Sequence, residues 1–174
     1  MEYANKEMNT DKLSPHMIDE VLSSFRNRDG EISSVSPSQM SPLVLAYIGD
    51  TVYDLFVRTM LVESTTLSAH GLHMRAAKLV CAAAQSRALL RIEQLLSEEE
   101  MSVFKRGRNA HMGTVPKNAE IIDYRRATGL EALMGYLYLL GRDERLSELM
   151  RAAFGNGDNE PEKANPTASE DNDK

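Results

Sequence analysis

The sequence predicts an all-α domain. Three observations predict it: glycine and proline are sparse between residues 42 and 154, apolar residues there recur at helical rather than alternating spacing, and helix start and stop signals bracket the apolar runs. The length, 174 residues of which 42% are apolar, suits a single domain with one hydrophobic core.

The elements follow in order. Ser14-Pro15 reads as the N-cap and first residue of a helix running to about Arg26, which Asp29-Gly30 closes. Residues 30 to 41 form a polar linker, so residues 1 to 40 are assigned to an N-terminal extension. Ser41-Pro42 starts a second helix that reaches about Val62. Leu67 to Leu96 is continuous helical material, with candidate breaks at Gly71 and around Ala83. Ser97 followed by Glu98, Glu99 and Glu100 is a capping box opening a helix toward Arg106. Gly107 to Pro116 reads as a basic loop, and further helices are expected at about Tyr124 to Leu140 and Asp143 to Phe154. The folded domain therefore spans 41 to 154, and residues 155 to 174 form an acidic tail too polar to hold a fold.

Composition narrows the function classes. Cys81 is the only cysteine, which excludes an internal disulfide, and one thiol among ten methionines suits a reducing compartment, the cytoplasm. Residues 1 to 13 lack the apolar segment of a signal peptide, and no run approaches the roughly 18 unbroken apolar residues of a membrane span. The net charge of −6 is unevenly spread. The tail carries six acids and two lysines, and the first 40 residues seven acids and four bases, which leaves the middle of the chain near neutral. Within it, Lys105, Arg106, Arg108, Lys117, Arg125 and Arg126 face only Glu120 and Asp123 between positions 105 and 126. Such a local basic patch is what phosphate contact requires, whatever the global sign.

Two helices carry a carboxylate in apolar company. The stretch LVLAYIGDTVYDLFVRTMLV has apolar residues on nearly every face with Asp50 at its middle, and ATGLEALMGYLYLL has Glu131 as its only acid. Both patterns read as helices buried at the centre of the domain. An ionised carboxylate in such a setting costs several kcal/mol unless it is paired or bound to metal. Gly49 adjoins Asp50, and Gly135 lies one turn beyond Glu131, although glycine inside a helix costs roughly 1 kcal/mol relative to alanine. Close approach of two backbones would justify both glycines. A crossing there brings Asp50 and Glu131 together, with Asp54 one turn along the same face. Hard oxygen ligands on facing helices suit Mg²⁺, with Mn²⁺ as a substitute, and such an ion serves phosphodiester hydrolysis. A salt bridge from these acids to Arg58, Arg75 or Arg125 is the alternative that composition and periodicity leave open. His70 and His73, one turn apart, read as surface residues, and Cys81 as core packing.

At this point the residues match a known pattern. Leu45-Ala-Tyr-Ile-Gly-Asp50-Thr-Val-Tyr-Asp54 resembles the ribonuclease III signature, and Glu131-Ala-Leu-Met-Gly135 resembles that family's second motif. Lys105-Arg-Gly-Arg-Asn-Ala110, Pro116-Lys-Asn118 and Tyr124-Arg-Arg-Ala-Thr-Gly129 are similar to Mini-ribonuclease III, the short bacterial form without a double-stranded-RNA-binding domain. These motifs stand in the right order over residues 41 to 150. The resemblance implies the helical bundle of the ribonuclease III endonuclease domain, with Asp50 and Glu131 as catalytic, metal-binding acids. Leu43, Ala46 and Thr128 stand where long-form members carry acids, departures shared with the short form, and Asp54 is the candidate to supply part of what they lack. The resemblance further implies a homodimer with Tyr47 at the interface, and cleavage of double-stranded RNA to 5′-phosphate and 3′-hydroxyl ends with a short 3′ overhang. Its implied substrate is precursor of large-subunit (23S) ribosomal RNA.

No RNA-binding domain is expected after residue 154, so phosphate contacts fall to the domain itself. The candidates are Lys105, Arg106, Arg108, Asn109, His111, Lys117, Asn118 and Arg125, suited to a partner contacted mainly through phosphates and 2′-hydroxyls. Two other functions compete: a catalytically silent factor that binds structured RNA during ribosome assembly, and a helical interaction module whose acids pair with arginines. Metal-dependent cleavage separates the first from the nuclease, and RNA affinity separates the second.

Overall fold

The computed structural model describes residues 36–110 and 120–155. They form six α-helices with no strand among them: α1 (Pro42–Ser64), α2 (Ala69–Val80), α3 (Ala82–Ile92), α4 (Glu98–Arg108), α5 (Ile121–Leu139) and α6 (Asp143–Phe154). Short 3-10 turns at Pro37–Gln39 and Glu93–Leu95 complete the path. The helix expected at 14 to 26 and the acidic tail beyond Gly155 lie outside the described residues. None of the helices is long and apolar enough to cross a membrane.

The bundle is built around α5. Every residue from Ala127 to Leu137 except Glu131 is buried, and α1, α3, α4 and α6 pack around this helix. Its lack of a polar face is thus explained by enclosure on all sides. The same inference fails for α1. Leu45, Gly49, Tyr53, Val57 and Leu61 form its inner stripe, but Val44, Tyr47, Leu55 and Val62 are exposed along the opposite side. Apolar residues on every face measure how greasy a helix is and leave open what covers it.

The long helical stretch breaks at Cys81, whose extended backbone ends α2 while its carbonyl accepts from the backbone N–H groups of Ala84 and Gln85 to start α3. This position is exposed, contrary to the core role expected for Cys81. The turn between the helices carries its thiol outward, where it donates to the Lys78 carbonyl at 3.4 Å. His70 and His73 are exposed, as expected.

Two acids of the capping segment tie α4 to the rest. Glu100 caps the helix reciprocally with Ser97 and receives both Nε and Nη2 of Arg145, at 2.9 and 3.0 Å. Glu99 accepts from the Tyr136 hydroxyl and from Arg142. Helix α4 is in this way fixed to both α5 and α6 before its C-terminal end reaches the site.

Candidate active site

Glycine sets the geometry. A Cβ at Gly49 would overlap the Glu131 carbonyl oxygen and stand 2.7 Å from the amide nitrogen of Gly135. A Cβ at Gly135 would overlap the Leu45 carbonyl and stand 2.8 Å from Ile48 Cγ2. Helices α1 and α5 therefore cross backbone on backbone at the two glycines, as the sequence predicts, and Asp50 and Glu131 flank the crossing.

A second glycine contact seats α4 on the same stretch of α5. A Cβ on Gly107 would come 2.7 Å from Ala132 Cβ and 2.9 Å from Gly129 Cα, while one on Gly129 would press 2.6 Å into the Phe104 ring. Gly107 and Arg108 are thus part of helix α4, correcting the loop expected to begin at Gly107. The demand for close packing outweighs the low helix propensity of glycine here. The acid pair and the basic end of α4 consequently share one stretch of α5, from Thr128 to Gly135.

The two acids differ in environment. Asp50 is exposed, so the sequence argument from burial does not apply to it; the open flank of α1 leaves its carboxylate in solvent. Glu131 is largely buried, and burial, followed by the charge of Asp50, pushes its carboxyl up to about 7. A hydrogen bond from the Gln85 side chain opposes that rise. Neither acid is paired with a guanidinium among the described residues, and Arg58 pairs instead with Asp54 at 2.7 Å. The salt-bridge alternative is therefore not the arrangement these helices adopt.

Asp54 fares differently from the expectation. Its Oδ2 is taken by Arg58, its Oδ1 is buried without a partner, and no cluster of three or more His, Cys, Asp or Glu side chains suited to a metal occurs among the described residues. The competing guanidinium one turn away is the physical reason that Asp54 does not complete a three-carboxylate set. What remains is a pair of like-charged carboxylates, one of them desolvated. That donor set fits Mg²⁺, which takes one or two protein carboxylates and keeps the rest of its shell as water.

Thr128 is buried and its hydroxyl donates to the Tyr124 carbonyl one turn back, so it offers no charge to the site. Leu43 is partly exposed in the first turn of α1, two turns from Asp50. Of the basic candidates, Lys105, Arg106 and Asn109 line an open groove of about 560 Å³ on α4 together with Glu98, Met101 and Ser102. Arg106 Nη1 also donates to the Ser38 carbonyl at 2.8 Å. Arg108 lies over the Phe104 ring and donates to Asn109 Oδ1, and Arg125 is exposed in the second turn of α5. His111, Lys117 and Asn118 lie outside the described residues. Tyr47 is 82% exposed.

Sequence reasoning missed Gln85. Its spacing to Ala88, Leu89 and Ile92 marks it as the polar member of the buried stripe of α3, and that was the available signal.

Comparison with known proteins agrees with the geometry. The profile of the Ribonuclease III domain matches residues 43–142. The chain is 49% identical to Mini-ribonuclease 3 of Clostridium tetani over 122 residues, covering 70% of this chain and 81% of that protein. It is 48% identical to Mini-ribonuclease 3 of Brevibacillus brevis over 118 residues, 68% of this chain and 88% of the relative. A crystal structure of a Fusobacterium nucleatum protein superposes with a TM-score of 0.60 at 29% identity, over 66% of this chain and 91% of the other.

Proposed function

The chain belongs to the ribonuclease III family, in its Mini-ribonuclease III branch, and from that premise we propose that it is an endoribonuclease hydrolysing phosphodiester bonds of double-stranded RNA at Asp50 and Glu131. The observation that carries the reading is the crossing at Gly49 and Gly135. It holds two acids together with no cationic side chain between them among the described residues, one of them desolvated so that its charge is costly without a partner.

Asp50 and Glu131 would hold Mg²⁺ or Mn²⁺, which when bound supplies an activated water and charge stabilisation for the leaving oxygen. The chain's own residues do the rest. Asp50 would hold the ion from the solvent side, where RNA approaches, and Glu131 would hold it from the buried side. Lys105, Arg106 and Asn109 grip phosphates from the last turn of α4 and the residue beyond it, Arg108 adds charge behind them, and Arg125 approaches from α5. His111, Lys117 and Asn118 are further RNA contacts in this reading, on the strength of the sequence alone.

The exposed stripe of α1, with Tyr47 beside Val44, is the surface on which we place a homodimer. Two copies joined there carry two acid pairs, one for each strand of a duplex. The products are then 5′-phosphate and 3′-hydroxyl ends with a short 3′ overhang. The natural substrate in this reading is precursor of large-subunit (23S) ribosomal RNA in the cytoplasm.

Incubation with a long duplex RNA tests the proposal. A cleavage ladder that requires Mg²⁺ and disappears in Asp50→Asn is the expected result. Equal cleavage by Asp50→Asn removes the assigned site, and RNA binding without turnover in either Mg²⁺ or Mn²⁺ would make the protein a silent RNA-binding factor.

A further inference from the structure

Gln85 is a buried polar side chain that the family reading does not use. It is 1% exposed, near the start of α3, on a stripe otherwise made of Ala88, Leu89 and Ile92. One amide N–H donates to the Val80 carbonyl, at the end of α2, at 3.3 Å. The same side chain neighbours the Glu131 carboxyl and holds back its rise. Its Oε1 is buried with no partner among the described residues.

A leucine would fill this place without desolvating an amide, so packing does not account for the residue. The amide links two features instead. At one end is the break between α2 and α3, fixed by the extended backbone of Cys81; at the other is the acid on the central helix. A buried amide beside a carboxylate restricts its orientation, and partners of metal ligands commonly set both ligand geometry and ion affinity. We infer that Gln85 is a positioning residue of the nuclease site: it fixes the Glu131 carboxylate toward Asp50 and offers Oε1 as an acceptor for water bound to the ion. The inference rests on the reading of Asp50 and Glu131 as an ion site.

Two variants test it, Gln85→Met, which keeps volume and removes both polar functions, and Gln85→Asn, whose amide is one methylene too short to span Val80 and Glu131. Mn²⁺ binding is titrated calorimetrically without RNA, beside the Mg²⁺ concentration for half-maximal cleavage and the KM for duplex RNA at saturating Mg²⁺. The Met variant should bind Mn²⁺ ten-fold or more weakly, in the range found when partners of metal ligands are removed. Its Mg²⁺ requirement should rise by the same factor, with KM for RNA unchanged and a melting temperature without metal no lower than the parent's. The Asn variant should show a smaller loss in the same direction, and it decides the matter if the Met variant fails to fold. Mn²⁺ affinity and Mg²⁺ requirement within two-fold of the parent in the folded variants would overturn the role of Gln85, as would a lowered melting temperature with intact ion affinity, the mark of a structural residue. Asp50→Asn is the control that keeps the two readings apart. If it binds Mn²⁺ and cuts like the parent, the nuclease site and the role of Gln85 fall together, whereas loss of Mn²⁺ binding and cleavage in Asp50→Asn with unaffected Gln85 variants removes Gln85 alone.

Discussion

Gly49→Ala probes the crossing on which the site depends, and its effect can be worked from distances. Ordinary van der Waals contact begins at 3.4 Å, so a Cβ 2.7 Å from the Gly135 nitrogen is about 0.7 Å too close, and its overlap with the Glu131 carbonyl is worse. Both neighbours are backbone in a fully packed helix, so no side chain can rotate away and α1 must lift from α5. Overpacking of this kind costs about 1–3 kcal/mol or more. Replacing a mid-helix glycine returns roughly 1 kcal/mol of propensity. Because lifting α1 loosens contacts along the whole interface, we expect the upper end to win, with a net loss of about 2 kcal/mol and a fall in Tm on the order of 5–10 °C. Gly71→Ala is the matched control, since a Cβ there meets nothing closer than Leu67 Cβ at 3.3 Å near the start of α2. It should be neutral or gain up to about 1 kcal/mol. Urea unfolding of both variants, compared at equal m-value, is the assay. A Gly49→Ala protein within about 0.5 kcal/mol of the Gly71→Ala protein, beyond the usual scatter of such comparisons, refutes the backbone-on-backbone crossing.

Three further outcomes follow from other parts of the structure. Glu131 has a folded value of about 7 against an ordinary 4.5, so its contribution to stability is full below pH 4.5 and is lost as pH rises through 7, a span equivalent to roughly 3 kcal/mol at most. In the absence of divalent ions, Glu131→Gln should therefore flatten the pH dependence between 5 and 8 and unfold at higher urea than the parent at pH 8; an unchanged slope contradicts the burial of this acid. Arg145→Met strands Glu100, which is 3% exposed and held below its usual range first by Arg145, and should cost about 2 kcal/mol at pH 7. Since the folded value of Glu100 is depressed, that loss should shrink as pH falls below 4.5, and equal losses at pH 7 and 3.5 would show that the ion pair is not its source. Tyr47→Glu should leave the monomer fold stable, because the ring is 82% exposed, yet shift sedimentation from dimer to monomer; an unchanged sedimentation coefficient places the interface elsewhere.

Much of the bundle was legible because its signals are local. The capping box at Ser97 and the proline start at Pro42 need no tertiary knowledge, and both helices begin where those residues say. The crossing was legible for a different reason: glycine beside an acid in each of two greasy helices has few explanations other than close approach. Sequence reasoning failed where solvent decides. Asp50 and Cys81 sit in apolar runs, yet both are exposed, since periodicity cannot tell an inner apolar stripe from an outer one. Glycine among arginines looks like a turn, but the partner of Gly107, Gly129, 22 positions away, makes it a helix contact. The arginine that engages Asp54 was in plain view at i+4, but whether a carboxylate prefers that arginine or a metal depends on the surrounding cavity.

The energies at the acid pair link folding to chemistry. An ionised Glu131 beside Asp50 weakens the metal-free protein by up to roughly 3 kcal/mol above pH 7. An ion present at 100 times its dissociation constant, bound only by the folded state, returns about 2.7 kcal/mol. The two magnitudes nearly cancel, so at pH 8 the ion-loaded protein should be about as stable as the metal-free protein with Glu131 protonated. The rigid crossing is what makes the exchange of proton for metal possible. Close packing at Gly49 and Gly135 seats Glu131 in the bundle, so the cost of its charge, set first by burial and second by Asp50, is relieved by a cation or a proton. A looser crossing would let water reach Glu131, and its hold on either the proton or the ion would weaken with the loss of that burial.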